Sequence, residues 1–212
     1  MEIINNLIEN YIADHTSHES AVLKKLDRDT YANILMPRML SGHVQGRLLS
    51  MFSNMIKPSA ILEIGTFTGY SAICLSEGLS LRGKLITIDI NEELESMVRK
   101  YFTDANVDSK IEYIIGNALE VIPTIKLQFD IVFIDADKCN YSNYYDLVFD
   151  KVKSGGYIIA DNVLWSGKVV SEEKSNKDLL NIKLFNQKVQ DDLRVENLII
   201  PMRDGLMVAR KK

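Results

Sequence analysis

The sequence predicts an α/β fold: a doubly wound, mostly parallel sheet of seven strands, preceded by a helical cap and closed by a C-terminal antiparallel hairpin. Three observations predict it. From residue 58 onward, short apolar runs alternate with helical segments, the pattern of a parallel sheet wound with helices. The run over 129–134 is nearly all apolar, as expected when both faces are covered. The last two runs are separated only by a turn-rich segment over 201–205, which reads as an antiparallel hairpin.

Residues 1–57 read as helical. Ile3, Ile4, Leu7, Ile8, Tyr11 and Ile12 recur at helical spacing, and Val22, Leu23, Leu26 and Tyr31 do so across 20–35. Pro37 breaks the chain, and a third helix spans 42–56. At Pro58 the pattern changes. The expected strands cover 60–64, 84–89, 111–115, 129–134 and 156–160. The helices between them cover 70–78, the segment after Asn91, 118–125 and 141–152. Asn91 caps its helix, and Glu92 and Glu93 suit the positive end of the helix dipole. A polar helix around 177–190 leads into strands over 193–200 and 206–209. The expected organisation is one domain over 1–212, with a cap over 1–57 and an α/β core over 58–212.

The bulk properties exclude several classes. The 212 residues are 46% hydrophobic, enough for one sizeable core, and no repeat or low-complexity stretch occurs. The net charge of −4 gives no global basic field for nucleic acid. No apolar run approaches the roughly 20 residues that span a bilayer. Glu2 comes early and no apolar segment follows it, so no signal peptide is expected. Cys74 and Cys139 make neither a disulfide framework nor a metal-ligand spacing, and Cys74 reads as core. A reduced, cytoplasmic protein is expected. His15, His18 and His43 are scattered and form no ligand set.

In an open α/β sheet, ligands bind outside the carboxyl ends of the strands, and the unusual residues cluster there. The first strand ends in Glu63-Ile64-Gly65-Thr66-Phe67-Thr68-Gly69-Tyr70-Ser71. Two glycines let backbone N–H groups approach a ligand, and equally fit a tight strand-to-helix turn. Asp89, at the end of the second strand, can accept both hydroxyls of a ribose, or can serve the helix after it. The G-x-x-x-G spacing is not a dinucleotide fingerprint. The fourth strand ends in Asp135-Ala136-Asp137-Lys138 and the fifth in Asp161-Asn162. Oxygen ligands from Asp135, Asp161 and Asn162 suit a hard cation such as Mg²⁺ or Ca²⁺; each acid could instead cap the next segment.

Taken together these motifs resemble the cation-dependent O-methyltransferases of the caffeoyl-CoA and catechol type. The resemblance runs from Met36 to the C-terminus. It rests on EIGTFTGYS (63–71), FIDADK (133–138), ADNVLWSG (160–167) and PMRDGL (201–206). It implies a Rossmann-like fold, S-adenosylmethionine as methyl donor and Mg²⁺ as the cation. It also implies roles: Asp135, Asp161 and Asn162 hold the metal, and Lys138 is the catalytic base, with Asp135 beside it. Glu63, Gly65, Ser71 and Asp135 line the methionine end of the cofactor, with Met39 and Ser41 in front of it. Asp89 holds the ribose, and Asn117 and Ala118 lie near the adenine. Trp165 is a candidate wall over the acceptor ring or a packing residue for its own loop.

Methyl transfer is an in-line displacement at a sulfonium carbon, so alignment and deprotonation of an oxygen are what the enzyme must supply. A metal on two adjacent substrate oxygens does both. For a lysine to act as base, a nearby cation and partial burial must favour its neutral form; a salt bridge to Asp135 or Asp137 is the alternative for Lys138. Asp137 has no assigned role. Tyr141, Tyr144 and Tyr145 are expected in core contacts, one of them facing substrate, and Arg210-Lys211-Lys212 as a solvated tail. The expected acceptor is a small hydroxylated aromatic and the expected assembly a homodimer, by analogy with the family. Methylation of a hydroxylated uridine in tRNA is the alternative, with Lys24, Lys25, Arg38 and Arg47 as a basic rim. A non-catalytic cofactor-binding module and a nicotinamide dehydrogenase rank lower.

Overall fold

The computed structural model describes residues 5–171 and 176–212; the expected helical positions Ile3 and Ile4 lie outside them. The cap contains α1 (Asn6–Asp14), α2 (Ala21–Asn33) and α3 (Gly42–Ile56), with a 3₁₀ turn over Pro37–Met39. Asn5 and Ser20 cap the first two helices by accepting from the N–H groups of Leu7 and Leu23, as short polar side chains do at helix starts. The core then alternates: β1 (Ala60–Ile64), α4 (Tyr70–Ser76), β2 (Lys84–Asp89), α5 (Glu95–Asp104), β3 (Ile111–Ile115), α6 (Ala118–Thr124), β4 (Phe129–Ile134), α7 (Tyr141–Phe149) and β5 (Val152–Ala160). After α8 (Lys177–Asp191) come β6 (Val195–Ile200) and β7 (Leu206–Lys211).

The seven strands form one sheet in the order β3-β2-β1-β4-β5-β7-β6. β1 to β5 pair in parallel, and β7 runs antiparallel to both β5 and β6. Strand side chains alternate between the faces. Leu62, Val132, Ile134 and Ile158 pack with α6, α7 and α8 on one side. Ile61, Ile131, Phe133 and Ile159 pack with α4 and α5 on the other, and Leu23, Leu26 and Leu49 of the cap join that second cluster.

Several expected boundaries move. The helix placed over 141–152 ends at Phe149, and Val152 opens β5 opposite Phe129. An irregularity then shifts the register before Tyr157 meets Ile131, so the apolar Val152 belongs to the sheet despite its helical spacing. β6 begins at Val195, after Asp192 and Arg194 close the end of α8; Leu193 is exposed. The basic tail is not simply solvated: β7 includes Arg210 and Lys211, and the Lys211 ammonium donates to the carbonyls of Phe149 and Val152.

Phe185 ties α8 to the sheet. It is fully buried and meets Tyr141 edge-on at 5.4 Å and Tyr145 at 6.2 Å between ring centroids. Phe185→Ala is expected to lower unfolding stability by about 3–5 kcal/mol. Urea titration checks this, the midpoint falling with an unchanged slope; a shift of under about 1 kcal/mol would mean that α8 is not part of the cooperative core.

Candidate active site

The carboxyl ends of β2, β1, β4 and β5 lie side by side, and three of their ladders run one residue further. Gly65 N–H donates to the Ile88 carbonyl at 2.9 Å, Asp135 N–H to that of Ile64 at 2.8 Å, and Asp161 N–H to that of Ile134 at 2.9 Å. The residues that follow the strands are therefore fixed by main chain. Gly65 is obligatory here: its φ is 99°, and a Cβ would sit 2.0 Å from the Asp135 carbonyl oxygen.

Asp89 turns its carboxylate toward the loop after β1. Oδ2 accepts from the N–H groups of Thr66 (2.9 Å) and Phe67 (2.7 Å), and Oδ1 from Asn91 (2.9 Å). Beyond the two readings available from sequence, Asp89 braces the glycine loop, and about one of its four acceptor positions stays open. Below it, Glu63 is fully buried. Its Oε2 accepts from the Thr87 hydroxyl at 2.5 Å, and Thr66 and Thr87 share a 2.6 Å hydrogen bond. Burial pushes the Glu63 carboxyl up to about 8, opposed by the nearby Ser71 and Thr87 hydroxyls and reinforced by the charges of Asp135 and Asp89. Although Ser71 is close, Oε1 has no partner in hydrogen-bond geometry among the described residues. A buried acceptor without a donor is costly unless a ligand supplies one.

Five expected residues, Met39, Ser41, Gly65, Ser71 and Asp135, line one cleft, together with Phe67. A larger hollow near Ser20, Glu77 and Asp104 contains none of the expected site residues. Asn117 caps α6 by accepting from Leu119 N–H at 3.0 Å, and Ala118 is buried just after it. Both sit at the end of β3, which borders β2.

Across the β4–β5 junction, Lys138 gathers the remaining groups. Its ammonium donates to Asp135 Oδ1 (3.2 Å), Asn162 Oδ1 (2.7 Å) and the Tyr141 hydroxyl (2.5 Å). Asp161 is buried; its Oδ1 accepts from Asn162 N–H at 2.7 Å and its Oδ2 from the Gln45 amide at 2.7 Å. Burial, and next the charge of Asp135, raise the Asp161 pKa above the ordinary carboxylate range, although Gln45, Lys138 and Asn162 pull the other way. Among the described residues no cluster of three or more His, Cys, Asp or Glu side chains is poised for a metal. The donors assembled here are two carboxylates and one amide oxygen.

Two members of this group were not expected in these roles. Gln45 is wholly buried in α3 and reaches Asp161 from the cap. Its signal in the sequence is an amide one turn before Leu49 on the buried face of α3. Tyr141, one of three candidate tyrosines, meets Lys138; Tyr144 instead donates to Asp137 and Tyr145 to Asp192. Asp137 thereby acquires a structural function, also accepting from Asn140 and Cys139. Trp165 is half-buried in a left-handed conformation (φ 46°) in the loop after Asn162. His15 and His43 bond to backbone carbonyls of Tyr11 and Ser17, away from this group.

The comparisons agree with this architecture. The profile of the O-methyltransferase family matches residues 13–212. A caffeoyl-CoA O-methyltransferase of Stellaria longipes is 30% identical over 217 residues, covering 96% of this chain and 90% of that protein. A catechol O-methyltransferase of Niastella koreensis is 28% identical, covering 95% of each. The O-methyltransferase TomG of Streptomyces achromogenes, solved in complex with S-adenosylmethionine, superposes with a TM-score of 0.90 at 25% identity, covering 98% of this chain and 96% of that one. This chain belongs to the O-methyltransferase family, the S-adenosylmethionine-dependent enzymes of the caffeoyl-CoA and catechol type.

Proposed function

We propose that this enzyme methylates one hydroxyl of a vicinal pair on a small catechol-like or caffeoyl-like aromatic, and that it requires a divalent cation, Mg²⁺, to do so. The observation that carries the reading is the meeting of Asp135, Lys138, Asp161 and Asn162 next to the cleft lined by Met39, Ser41, Gly65 and Ser71.

The donor set fits a hard cation. Oxygen ligands suit Mg²⁺, and the raised Asp161 pKa marks a negative charge that the protein leaves partly uncompensated. In this reading Asp135, Asp161 and Asn162 hold the ion. When bound, it would supply Lewis-acid charge that favours loss of the proton from the acceptor hydroxyl. Lys138, held by Tyr141, takes the hydroxyl proton when its Nζ is a neutral amine, or as the ammonium stabilises the oxyanion that remains. Asp135 orients that ammonium. Glu63, whose buried Oε1 lacks a donor, accepts from the ammonium of the cofactor's methionine end, beside Gly65, Ser71, Asp135, Met39 and Ser41. Asp89 uses its open acceptor position on the ribose, Asn117 and Ala118 flank the adenine, and Trp165 forms a wall over the acceptor ring.

A small acceptor is favoured over tRNA by the state of the basic residues. Arg47 is held by Glu77 at 2.7 Å with only 17% of its side chain exposed, and Lys25 lies 4.0 Å from Asp104. Both are thus paired with acidic side chains, which lowers the positive charge they offer to phosphates. As a family enzyme the chain is also set apart from a non-catalytic module or a dehydrogenase. The proposal includes one cap-plus-core domain and a cytoplasmic location; among the described residues no helix is long and apolar enough to cross a membrane. It also includes a homodimer: Leu7 and Tyr11 of α1 are 78% and 63% exposed, and a monomer by light scattering at micromolar concentration would refute that part.

Labelled S-adenosylmethionine with a panel of catechols should give turnover with Mg²⁺ and none with EDTA. Asp161→Ala should lose more than the about 10–100-fold typical of an outer-sphere change and keep its circular dichroism. Full activity of that variant in EDTA would end the metal mechanism. No turnover on any catechol, with the cofactor still bound, would turn the search to hydroxylated tRNA.

Cation affinity should also depend on pH. An ordinary aspartate, with a pKa of about 3.9, is indifferent between about pH 6 and about pH 8. Here protons compete for Asp161 in that range, so calorimetric Mg²⁺ affinity should rise with pH. The cation-free fold should lose stability across the same rise, because the unfolded chain has already released the proton that the fold retains. A flat affinity profile would contradict the assignment of Asp161 as a ligand.

A further inference from the structure

The turn between β6 and β7 reaches the site with two adjacent side chains that point to different segments. Arg203 Nη1 donates to the Leu40 carbonyl at 2.8 Å and Nη2 to that of Arg38 at 3.3 Å. These carbonyls lie at the end of the 3₁₀ turn Pro37–Met39, where helical geometry leaves acceptors without internal donors and favours a cation. The segment needs an external hold. Met36 (φ 57°) and Gly42 (φ 72°) are both left-handed, and Met36 is a non-glycine residue directly before proline. Between them lie Met39 and Ser41 of the cleft.

Asp204 serves the other side. Its Oδ1 accepts from the N–H and the hydroxyl of Ser166, each at 3.1 Å. Its carbonyl accepts from Leu164 N–H at 2.7 Å, and the Gly205 carbonyl from Val163 N–H at 3.1 Å. The loop held in this way passes through left-handed Asn162 (φ 59°), Trp165 (φ 46°), Ser166 (φ 51°) and Gly167 (φ 75°). Such backbone persists only when its surroundings impose it. Gly205 permits the contact: a Cβ there would sit 2.4 Å from Leu164 Cγ.

We infer that Arg203 and Asp204 are paired positioning residues: Arg203 holds the segment that bears Met39 and Ser41 over the cofactor, and Asp204 holds the loop that bears Trp165 on the acceptor side. One turn thus sets the spacing between the two halves of the site. The inference rests on the proposed reading that these segments face cofactor and acceptor.

Trp165 is the single tryptophan of the sequence, so its fluorescence reports on the acceptor loop. The experiment compares wild type, Arg203→Ala, Arg203→Lys and Asp204→Ala. It reads S-adenosylhomocysteine affinity by calorimetry, acrylamide quenching of Trp165, and the thermal midpoint. Arg203→Ala should weaken S-adenosylhomocysteine by about tenfold and leave quenching unchanged, as expected for losing a charged hydrogen-bond donor. Asp204→Ala should raise quenching and keep the wild-type affinity. Arg203→Lys, with one ammonium for two carbonyls, should fall between wild type and alanine, and it decides the matter if Arg203→Ala fails to fold. Wild-type affinity in both Arg203 variants, or unchanged quenching in Asp204→Ala, would overturn the inference. So would both readouts moving together with a lowered thermal midpoint, which is the mark of a merely structural role. If the wild-type chain does not bind S-adenosylhomocysteine, the cofactor reading itself falls, and the Arg203 half with it.

Discussion

The parallel ladder of this sheet continues for one residue beyond β1, β4 and β5, and the placement of the site's charged groups follows from that step. Asp135 and Asp161 are the residues that make the extra bonds, to Ile64 and Ile134. A carboxylate on a loop can swing away from its neighbour; one whose own N–H closes a sheet ladder cannot. The repulsion between Asp135 and Asp161 is therefore built in, and the surrounding groups are arranged to offset it. Lys138 bridges to Asp135, while Gln45 and the Asn162 N–H hold Asp161. In a site of low polarity each of these bonds counts for more than it would in water. The same extra step explains Gly65, since the β1 and β4 backbones approach too closely there for any side chain.

The cap belongs to this arrangement as a wall rather than as an appendage. Its leucines enter the core that α4 and α5 share, and hydroxyl groups fasten it around the glycine loop. Tyr70 donates to Glu19, Tyr101 donates to Asp29, and Thr30 bonds to Thr68 of the loop itself at 3.2 Å. Gln45 then carries the connection to the strand ends. The apolar contacts hold the cap down, and the directional bonds fix where it sits, because hydrophobic burial has no preferred direction whereas a hydrogen bond does.

The sheet was legible in the sequence wherever the chain had to be apolar on both faces. β1 to β4 fall where the runs AILEI, KLITID, IEYII and FDIVFI lie, and α3 spans the expected residues because its buried stripe keeps a helical period. β5 was less legible, because its first residues, 152–156, leave the regular register and are mostly polar or glycine rather than an apolar run. In the site, Gly65 and Asp135 at strand ends line one cleft with Ser71 of α4 and with Met39 and Ser41 of the cap, and these could be named. The supporting residues could not. Gln45 and Asp161 are 116 positions apart, and Arg203 is 163 positions from Leu40; such contacts leave no local periodicity to read. The left-handed run through Trp165 and Ser166 was hidden as well, since neither residue is the glycine that would announce it.

The position of β7 bears on the order in which the protein can be made. β7 lies between β5 and β6, although both precede it in the chain. During synthesis, which proceeds at about 5–20 residues per second, β1 to β5 can pair as they emerge, with the glycine loop between them. β6 has no neighbour in the sheet until β7 arrives, and the loop after Asn162 has no Asp204 to hold it. A nascent chain stalled before residue 201 would thus present a glycine loop and a row of carboxylates with the loop through Trp165 not yet held by Asp204. The loop after Asn162 is held last, by the turn that opens into a strand lying between two earlier ones.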